Sequence, residues 1–390
     1  MAAKGTDLRP LWLELITKLI GGTIEAGEGL DLSLIAQLLG DKPAGLAIQQ
    51  EILASHRLFR SPCAVPKPRL RVLALAAATD MGSNTPIEFL LEDSEIELMT
   101  LYVTPEAELP HALPDHDIAI VVASDSEDCR DALRRIGLMM PGWPRPLLNP
   151  PHLVCNLDRD KLHRLLAGIE GLKIPATAAV TRERLSGLSQ SAAAPVDIMA
   201  DPAFPVIVRP RGSHAGAGLA KIDDADAMER YLGGRQELEF FISRFVDYSG
   251  GDGLFRKCRI VVVDGRPYAC HLAVADRWDV WYLNAGMSLS ASKRLEEETF
   301  MRTFDTGFAP RHRTALAGMT DRIGLDYFTV DCAVTKDGSL LIFEADNTAI
   351  VHNMDPPEIF PYKAPQMRKV FDAFAAMLHR RAGQTRERAA

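Results

Sequence analysis

The sequence lacks long apolar runs, paired cysteines and a secretory leader, and each absence excludes a class of protein. The longest apolar stretches, such as 73–78 and 118–123, have the length of a strand and are too short to cross a membrane. The six cysteines are scattered and include no Cys-x-x-Cys pair, which argues against a disulfide framework or a zinc site. The N-terminus has no apolar region followed by a small-residue cleavage site. Together these features predict a cytoplasmic protein with reduced thiols and no membrane partner.

An excess of positive charge is also missing. The chain of 390 residues carries a formal net charge of −8, which argues against a nucleic-acid partner. Hydrophobic residues make up 47% and charged residues 25%, as in ordinary soluble enzymes, and the length predicts two or three domains. An anionic ligand therefore needs a local concentration of donors and cations.

Apolar periodicity and proline divide the chain into segments. Residues 1–60 carry helical apolar stripes, and 61–69 contain three prolines in nine residues, which is typical of a linker. Strands alternate with helices over 70–150 and predict a small parallel α/β domain. Residues 151–381 form a larger mixed domain with a subdomain at about 175–245, and a disordered tail is expected over 382–390. The predicted fold class is therefore α/β (α+β) after an N-terminal helical segment.

The stretch 205–222 has the pattern of a phosphate-binding hairpin. A strand ends in Arg209, a glycine-rich loop follows, and the chain returns as Leu-Ala-Lys-Ile. Glycines let backbone N–H groups approach phosphate oxygens because no Cβ intervenes. A plain glycine-rich hairpin is the alternative, but the cation at the strand end favours phosphate binding. The residues expected to supply charge or donors are Arg209, Arg211, Gly212, Ser213, His214, Gly216 and Gly218.

Three carboxylates near the C-terminus form a second pattern. Asp331 lies in an apolar strand, a Lys-Asp-Gly turn follows, and the returning strand carries Glu344 and Asp346. Because they are two residues apart, Glu344 and Asp346 point to the same face of a strand. Three converging oxygen ligands suit Mg²⁺. Exposed carboxylates on a polar hairpin face are the alternative, but Asp331 has apolar neighbours on both sides, and buried carboxylates need partners.

The order of these motifs resembles that of ATP-grasp ligases. Asp160-Lys161 comes first, then Ile174–Thr177, the glycine-rich hairpin, the strand 240–248 and the three carboxylates. The resemblance covers roughly residues 70–380 and includes D-alanine–D-alanine ligases and ligases that add glutamate to ribosomal protein. It is closest to a less-studied branch of ATP-grasp proteins that has an N-terminal helical segment. An ATP-grasp fold with a preceding small parallel α/β domain is what the resemblance implies.

The resemblance also implies a role for each motif. ATP and Mg²⁺ are the expected cofactors, and a homodimer is an expectation by analogy only. Two positions depart from the family: Arg209 stands where lysine is usual, and Asp346 stands where asparagine is usual, with Asn347 one place late. The implied contacts are Lys161, Arg209 and the loop Gly212–Gly218 to the phosphates; Arg244–Val246 to adenine; Asp247 or Asp252 to ribose; Asp331, Glu344 and Asp346 to Mg²⁺; and Arg259 to the acyl phosphate or substrate carboxylate.

The implied reaction transfers a phosphoryl group from ATP to a carboxylate, which an amine then attacks, releasing ADP and phosphate. Arg209, Arg259 and His214 are the candidate catalytic residues. A general base is not identified, and His214, His271 and His352 are the candidates, each of which also suits a structural role. A kinase on the same fold and a non-catalytic nucleotide-binding scaffold are the alternatives.

Local cations suggest an anionic substrate, such as an amino acid or short peptide that supplies the carboxylate or the amine. Aromatic residues just beyond these cations suit either a substrate pocket or the core. The cations are Arg256, Lys257, Arg259 and Arg277, and the aromatic residues are Trp278, Trp281 and Tyr282.

Overall fold

The computed structural model describes residues 6–104, 113–190, 204–213 and 216–389. His214, a candidate donor and base, lies outside these ranges. The chain forms two compact units. Unit 1 takes residues up to 155, then 325–328 and the C-terminal part from 346, and unit 2 takes 156–324 and 329–345. The domain ranges expected from the sequence stay a prediction.

Helices and strands alternate through most of the chain. Within the described ranges no helix is long and apolar enough to span a membrane. The helices are α1 Arg9–Ile20, α2 Ala26–Leu38, α3 Lys42–Ser55, α4 Ile87–Leu90, α5 Arg130–Met139, α6 Pro151–Val154, α7 Arg159–Leu166, α8 Arg182–Gln190, α9 Ala225–Gly233, α10 Ala291–Thr303, α11 Ala309–Arg311, α12 Arg313–Ile323 and α13 Lys363–Ala389. The strands are β1 Leu58–Arg60, β2 Leu70–Ala77, β3 Ile96–Val103, β4 Ile118–Val121, β5 Leu147–Leu148, β6 Leu172–Lys173, β7 Thr177–Thr181, β8 Val206–Pro210, β9 Ala220–Ile222, β10 Glu239–Arg244, β11 Phe255–Val263, β12 Arg266–Ala275, β13 Tyr327–Val334 and β14 Leu340–Asp346.

Unit 1 begins with the three helices that the apolar stripes predicted. Helix α3 starts at a capped residue, since the Asp41 carboxylate accepts a hydrogen bond from the Ala44 N–H at 3.1 Å. The helices contact the following α/β domain through polar groups: Gln49 Nε2 donates to the Thr79 carbonyl at 3.1 Å, and Lys42 pairs with Asp80 at 2.5 Å. The N-terminal segment is therefore docked within unit 1.

The predicted small parallel sheet is confirmed in unit 1. Its strand order is β1-β3-β2-β4-β5, and β2, β3, β4 and β5 pair in parallel. Strand β1 pairs antiparallel with β3 and covers that edge. The expectation that helix reaches residue 60 is corrected here, because α3 ends at Ser55 and 58–60 extend the sheet. Helix α13 also runs through 382–389, where the sequence predicted a disordered tail.

Unit 2 contains two sheets. The first has the order β7-β10-β8-β9, with every neighbouring pair antiparallel. Its core is apolar and includes the fully buried Phe240 and Val208. The second has the order β12-β11-β13-β14-β6. Mixed α/β structure with N-terminal helices and three sheets is thus what the chain forms.

Candidate functional site

A buried ion-pair group lies at the centre of the second sheet of unit 2. Asp331, in β13, is 3% exposed, and its carboxylate accepts hydrogen bonds from Arg259 Nε at 2.7 Å and Nη2 at 3.1 Å. Lys257 Nζ lies 2.8 Å from the same carboxylate. Lys257 and Arg259 are two residues apart in β11, so strand alternation puts both side chains on one face. The apolar pattern around Asp331 correctly indicated that this carboxylate is buried and needs partners.

Asp331 and its neighbouring cations each stabilise the charged form of the other. Burial alone would raise the pKa of Asp331, but Arg259 and Lys257 hold that pKa well below its ordinary value. Burial likewise works to lower the pKa of Arg259, and the Asp331 carboxylate raises it above the ordinary value instead. Both side chains therefore stay ionised across the physiological pH range.

Glu344, in β14, pairs with a cation from a distant part of the sequence. Arg159 is the first residue of α7, after the capping residue Asp158, and its guanidinium contacts the Glu344 carboxylate and donates to the Phe343 carbonyl at 3.2 Å. Burial would raise the pKa of Glu344, but Arg159 keeps it below the ordinary value. The sequence motif pointed to Lys161, which is exposed two residues further along α7. Arg159 was not singled out from the sequence. The signal that could have found it is its position in the first turn of α7, beside Lys161.

The glycine-rich hairpin carries Arg209 near the end of its first strand, as predicted. Strands β8 and β9 pair antiparallel from Val206 with Ile222 to Val208 with Ala220. Arg209 Nε donates to Ser213 Oγ at 3.2 Å, and its Nη2 contacts the Ser213 carbonyl. The start of the loop thus wraps around the guanidinium.

Arg209 lies in the field of the Arg159 and Glu344 pair. Burial and, to a lesser extent, the nearby Arg159 lower the pKa of Arg209 to about 10, and Glu344 partly opposes this change. Glu344 in turn interacts electrostatically with Asp331, Lys257 and Arg209. We call these side chains the charged cluster; all belong to unit 2, and they are Arg159, Arg209, Lys257, Arg259, Asp331 and Glu344.

The loop glycines adopt backbone conformations that other residues avoid. Gly212, Gly216 and Gly218 have φ values of 72°, 75° and 69°. At Gly218 an added Cβ would lie 2.7 Å from Pro210 Cδ. Glycine is therefore favoured at Gly218 by both conformation and space.

Arg211 differs from Arg209 in its partners. Its guanidinium donates to Glu239 at 3.1 Å and to Asp158 at 3.2 Å, and it lies 5.8 Å from the centre of the Phe241 ring. Arg211 thus holds the hairpin to β10 and to the start of α7. Its predicted role with phosphate stays a prediction.

The segment expected to bind adenine and ribose follows β10. The Arg244 N–H donates to the Ala176 carbonyl and the Phe245 N–H to the Pro205 carbonyl, both at 3.2 Å. Val246 follows them as the next residue expected to contact adenine. Asp247 accepts from the Ser249 N–H at 2.9 Å and pairs with Lys336 at 2.9 Å. The Ser249 N–H and then Lys336 lower the pKa of Asp247 to about 2.

The predicted Mg²⁺ ligands are engaged by protein groups. Asp346 Oδ1 accepts from the Thr348 N–H at 2.7 Å and from its hydroxyl at 2.9 Å, while Asp331 and Glu344 face cations. Among the residues described, no three His, Cys, Asp or Glu side chains are grouped so as to hold a metal ion. Oxygen donors suit Mg²⁺ in chemical type, but Asp331 and Glu344, the two of these carboxylates in unit 2, are each paired with a cation and so do not form a ready metal site.

A cavity of about 210 Å³ in unit 2 lies away from the charged cluster. Its lining includes Arg256 and Cys258 of β11, which alternate with Lys257 and Arg259 and so face the other side of the strand. Arg256 is itself paired with Asp252 and Glu296, each at 2.7 Å. This cavity therefore does not belong to the candidate site.

Comparison with known proteins gives structural matches alone, since no family model and no curated protein matches the chain. Those matches are ATP-grasp proteins. A RimK domain ATP-grasp protein from Sphaerobacter thermophilus is 19% identical, with a TM-score of 0.45 over 79% of this chain and 99% of that one. The D-alanine–D-alanine ligase of Bacillus anthracis, in complex with ATP, is 12% identical, with a TM-score of 0.45 over 82% of this chain and 99% of that one.

The VanG D-Ala:D-Ser ligase of Enterococcus faecalis is 10% identical, with a TM-score of 0.45 over 80% of this chain and all of that one. D-alanine–D-alanine ligases, which the motif order resembles, are thus among the matched structures.

Proposed function

We propose that the chain is an ATP-dependent ligase that activates a substrate carboxylate as an acyl phosphate and joins it to an amine, with release of ADP and phosphate. The charged cluster is the observation that carries this proposal. It sets four cations against two carboxylates on strands and a helix start of unit 2. A surplus of fixed positive charge attracts a polyphosphate and stabilises charge that develops during phosphoryl transfer.

Two arginines would take distinct roles. Arg209 and the backbone N–H groups of the loop 212–218 bind ATP phosphates, because the guanidinium is already aimed by Ser213. Arg259 binds the acyl phosphate, and Asp331 fixes its direction through two hydrogen bonds. Asp331 is thus a positioning residue, and holding the cations in place before the reaction lowers the barrier.

The substrates are expected to be small molecules or peptides of the amino-acid type. The joining step needs an amine as well as a carboxylate, and the aromatic stretch that contains Trp278, Trp281 and Tyr282 lies in unit 2 with the charged cluster. Trp281 is 45% exposed, so this stretch is not wholly core. A kinase and a nucleotide-binding scaffold are the alternatives.

One assay separates the three functions. The purified protein is given ATP, Mg²⁺ and pools of amino acids, and both phosphate release and coupled products are measured. A ligase releases phosphate only when a carboxylate is present and forms an amide product. A kinase forms ADP and a stable phosphorylated substrate, and a scaffold binds ATP without turnover.

Variants test the cluster within the same assay. Arg259→Met is expected to lower kcat by about 100-fold or more, as loss of a transition-state donor does. Arg302→Met, which removes an exposed arginine of α10 paired with Glu298, is the control and is expected to retain activity. Equal rates in the two variants would contradict the proposal.

Mg²⁺ is the expected companion of ATP, and Glu344 is the carboxylate whose role the variant assay can test. Glu344→Gln is expected to abolish turnover while the fold persists, and excess EDTA is expected to do the same. Full activity of that variant would remove Glu344 from the reaction, and full activity in EDTA would remove the metal.

A further inference from the structure

A β-bulge places His271 beside the charged cluster. Along β11 and β12, Arg259 pairs with His271 and the next residue, Ile260, pairs with Ala269, so Cys270 is an extra residue in β12. Residues directly opposite each other on neighbouring strands share a face and lie close together. Bulges are over-represented beside active sites, where they redirect a side chain. The bulge therefore puts the imidazole on the face that carries Arg259.

A fully buried carboxylate holds the aromatic neighbour of His271. The rings of His271 and Tyr282 are 4.7 Å apart, at 47°. The Tyr282 hydroxyl donates to Glu297 at 3.0 Å, and the other Glu297 oxygen accepts from the Leu272 N–H at 3.2 Å. Glu297 is 0% exposed, and a buried carboxylate needs such donors. Tyr282 is thereby fixed, and it forms one wall against the imidazole.

The other histidines that the sequence singled out are less well placed. His214 lies outside the described residues. His352 belongs to unit 1, and its Nδ1 accepts a hydrogen bond from the Met354 N–H at 3.0 Å. His271 shares unit 2 with the charged cluster, and its Nδ1 lies 3.8 Å from the Cys270 thiol, which is a weak contact. The charged or titratable groups beside His271 include Arg259, Cys270, Tyr282 and, behind Tyr282, Glu297.

We propose that His271 accepts the proton that the attacking amine loses during amide formation, an inference that rests on the proposed ligase function. The amine nitrogen forms a bond to the acyl carbon, and the bond from that carbon to the phosphate oxygen breaks. The amino-acid amine arrives as an ammonium ion and gives one proton to the His271 imidazole before its nitrogen attacks. The leaving phosphate keeps the electron pair of the broken bond and takes the second nitrogen proton, and the imidazole returns its own proton to water. Tyr282 and Glu297 act as positioning residues.

Two attacking amines separate proton transfer from the earlier steps. The full-length protein receives ATP, Mg²⁺ and the amino-acid pool as carboxylates, with either hydroxylamine or the same amino acids as the attacking group. Hydroxylamine is already unprotonated at neutral pH, whereas amino-acid amines are protonated. In His271→Gln we expect amide formation to fall by about 100-fold at pH 7, while hydroxamate forms at close to the wild-type rate. The lost amide rate should recover as the pH rises, because the amino-acid ammonium then loses its proton to water without His271.

The controls distinguish the possible failures. His379→Gln, which changes an exposed histidine of α13, should match the wild type in both reactions. Tyr282→Phe keeps the ring, loses only the hydrogen bond to Glu297, and should lower amide but not hydroxamate formation. Equal loss of both products in His271→Gln, or no loss of either, would overturn the proposal. If that variant does not fold, an unchanged amide rate in Tyr282→Phe would overturn it. Absence of any hydroxamate from the wild type would instead overturn the ligase function and this inference with it.

Discussion

The central strands of the two five-stranded sheets, β2 and β13, are buried to the same extent but carry different residues. In β2 of unit 1 every residue except Arg71 is buried, and all the buried ones are apolar. In β13 of unit 2 every residue except Val334 is buried, yet one of them is Asp331. A buried carboxylate costs several kcal/mol unless cations and donors compensate. Unit 2 therefore maintains an ion-pair group at a cost that the apolar sheet avoids, which is typical of a functional site.

The contrast between β2 and β13 would be wrong if the sheet of unit 1 tolerated a buried carboxylate as well as unit 2 does. Leu75 is 1% exposed at the centre of β2, where the neighbouring buried residues are apolar. Leu75→Asp is expected to cost more than about 4–5 kcal/mol, because it buries a charge with no partner and loses apolar packing. Circular dichroism during urea unfolding measures this. Leu75→Met, a volume-conserving change, is the control and should cost less than about 1.5 kcal/mol.

A second change tests the compensation in unit 2. Asp331→Asn leaves Arg259 and Lys257 without their carboxylate, so we expect a loss of about 3–5 kcal/mol in the free energy of unfolding. Urea unfolding followed by intrinsic fluorescence gives the value. A loss below 1 kcal/mol would mean that the pair contributes no more than an exposed one.

Two glycines of the glycine-rich loop show how much stability is lost through backbone strain, for comparison with the electrostatic loss at Asp331. Gly218→Ala should destabilise the protein by about 2 kcal/mol, since φ is 69° and the new Cβ meets Pro210. Gly216→Ala has the same strain at φ 75° but open space around the Cβ, so about 1 kcal/mol is expected. Thermal unfolding of both variants ranks them, and the reverse order would contradict this account of the loop.

The smallest expected effect concerns an exposed pair. The Ser249 N–H and Lys336 lower the pKa of Asp247 from 3.8 to about 2. The resulting stabilisation is therefore present above pH 4 and is lost as the pH falls towards 2. Because Asp247 is half exposed, the change should stay below about 1 kcal/mol. Asp247→Asn should remove this part of the acid dependence of unfolding, and an identical acid profile would show that the pair contributes nothing.

Local patterns predicted most of the fold, whereas the partners of the charges depended on tertiary structure. Alternation and turn residues indicated the β13–β14 hairpin and the β8–β9 hairpin, because strands and glycines leave short-range signals. The contact between Arg159 and Glu344 joins residues 185 positions apart, and no short-range pattern encodes it. Lys257 and Arg259 were recognised as cations, but pairing with Asp331 requires the neighbouring strand. Strand β1 was missed because three residues before a proline-rich linker carry too little periodicity.

The short edge strands of the sheet in unit 1 also affect how readily the protein aggregates at high concentration. Its outer strands are short, with three residues in β1 and two in β5, while the inner strand β3 has eight. An uncovered strand edge presents unpaired N–H and carbonyl groups to other molecules and promotes cross-β aggregation. Strand β1 covers part of the edge of β3 before the chain enters the linker. The end of the N-terminal segment therefore leaves less of the β3 edge open to pairing with another molecule.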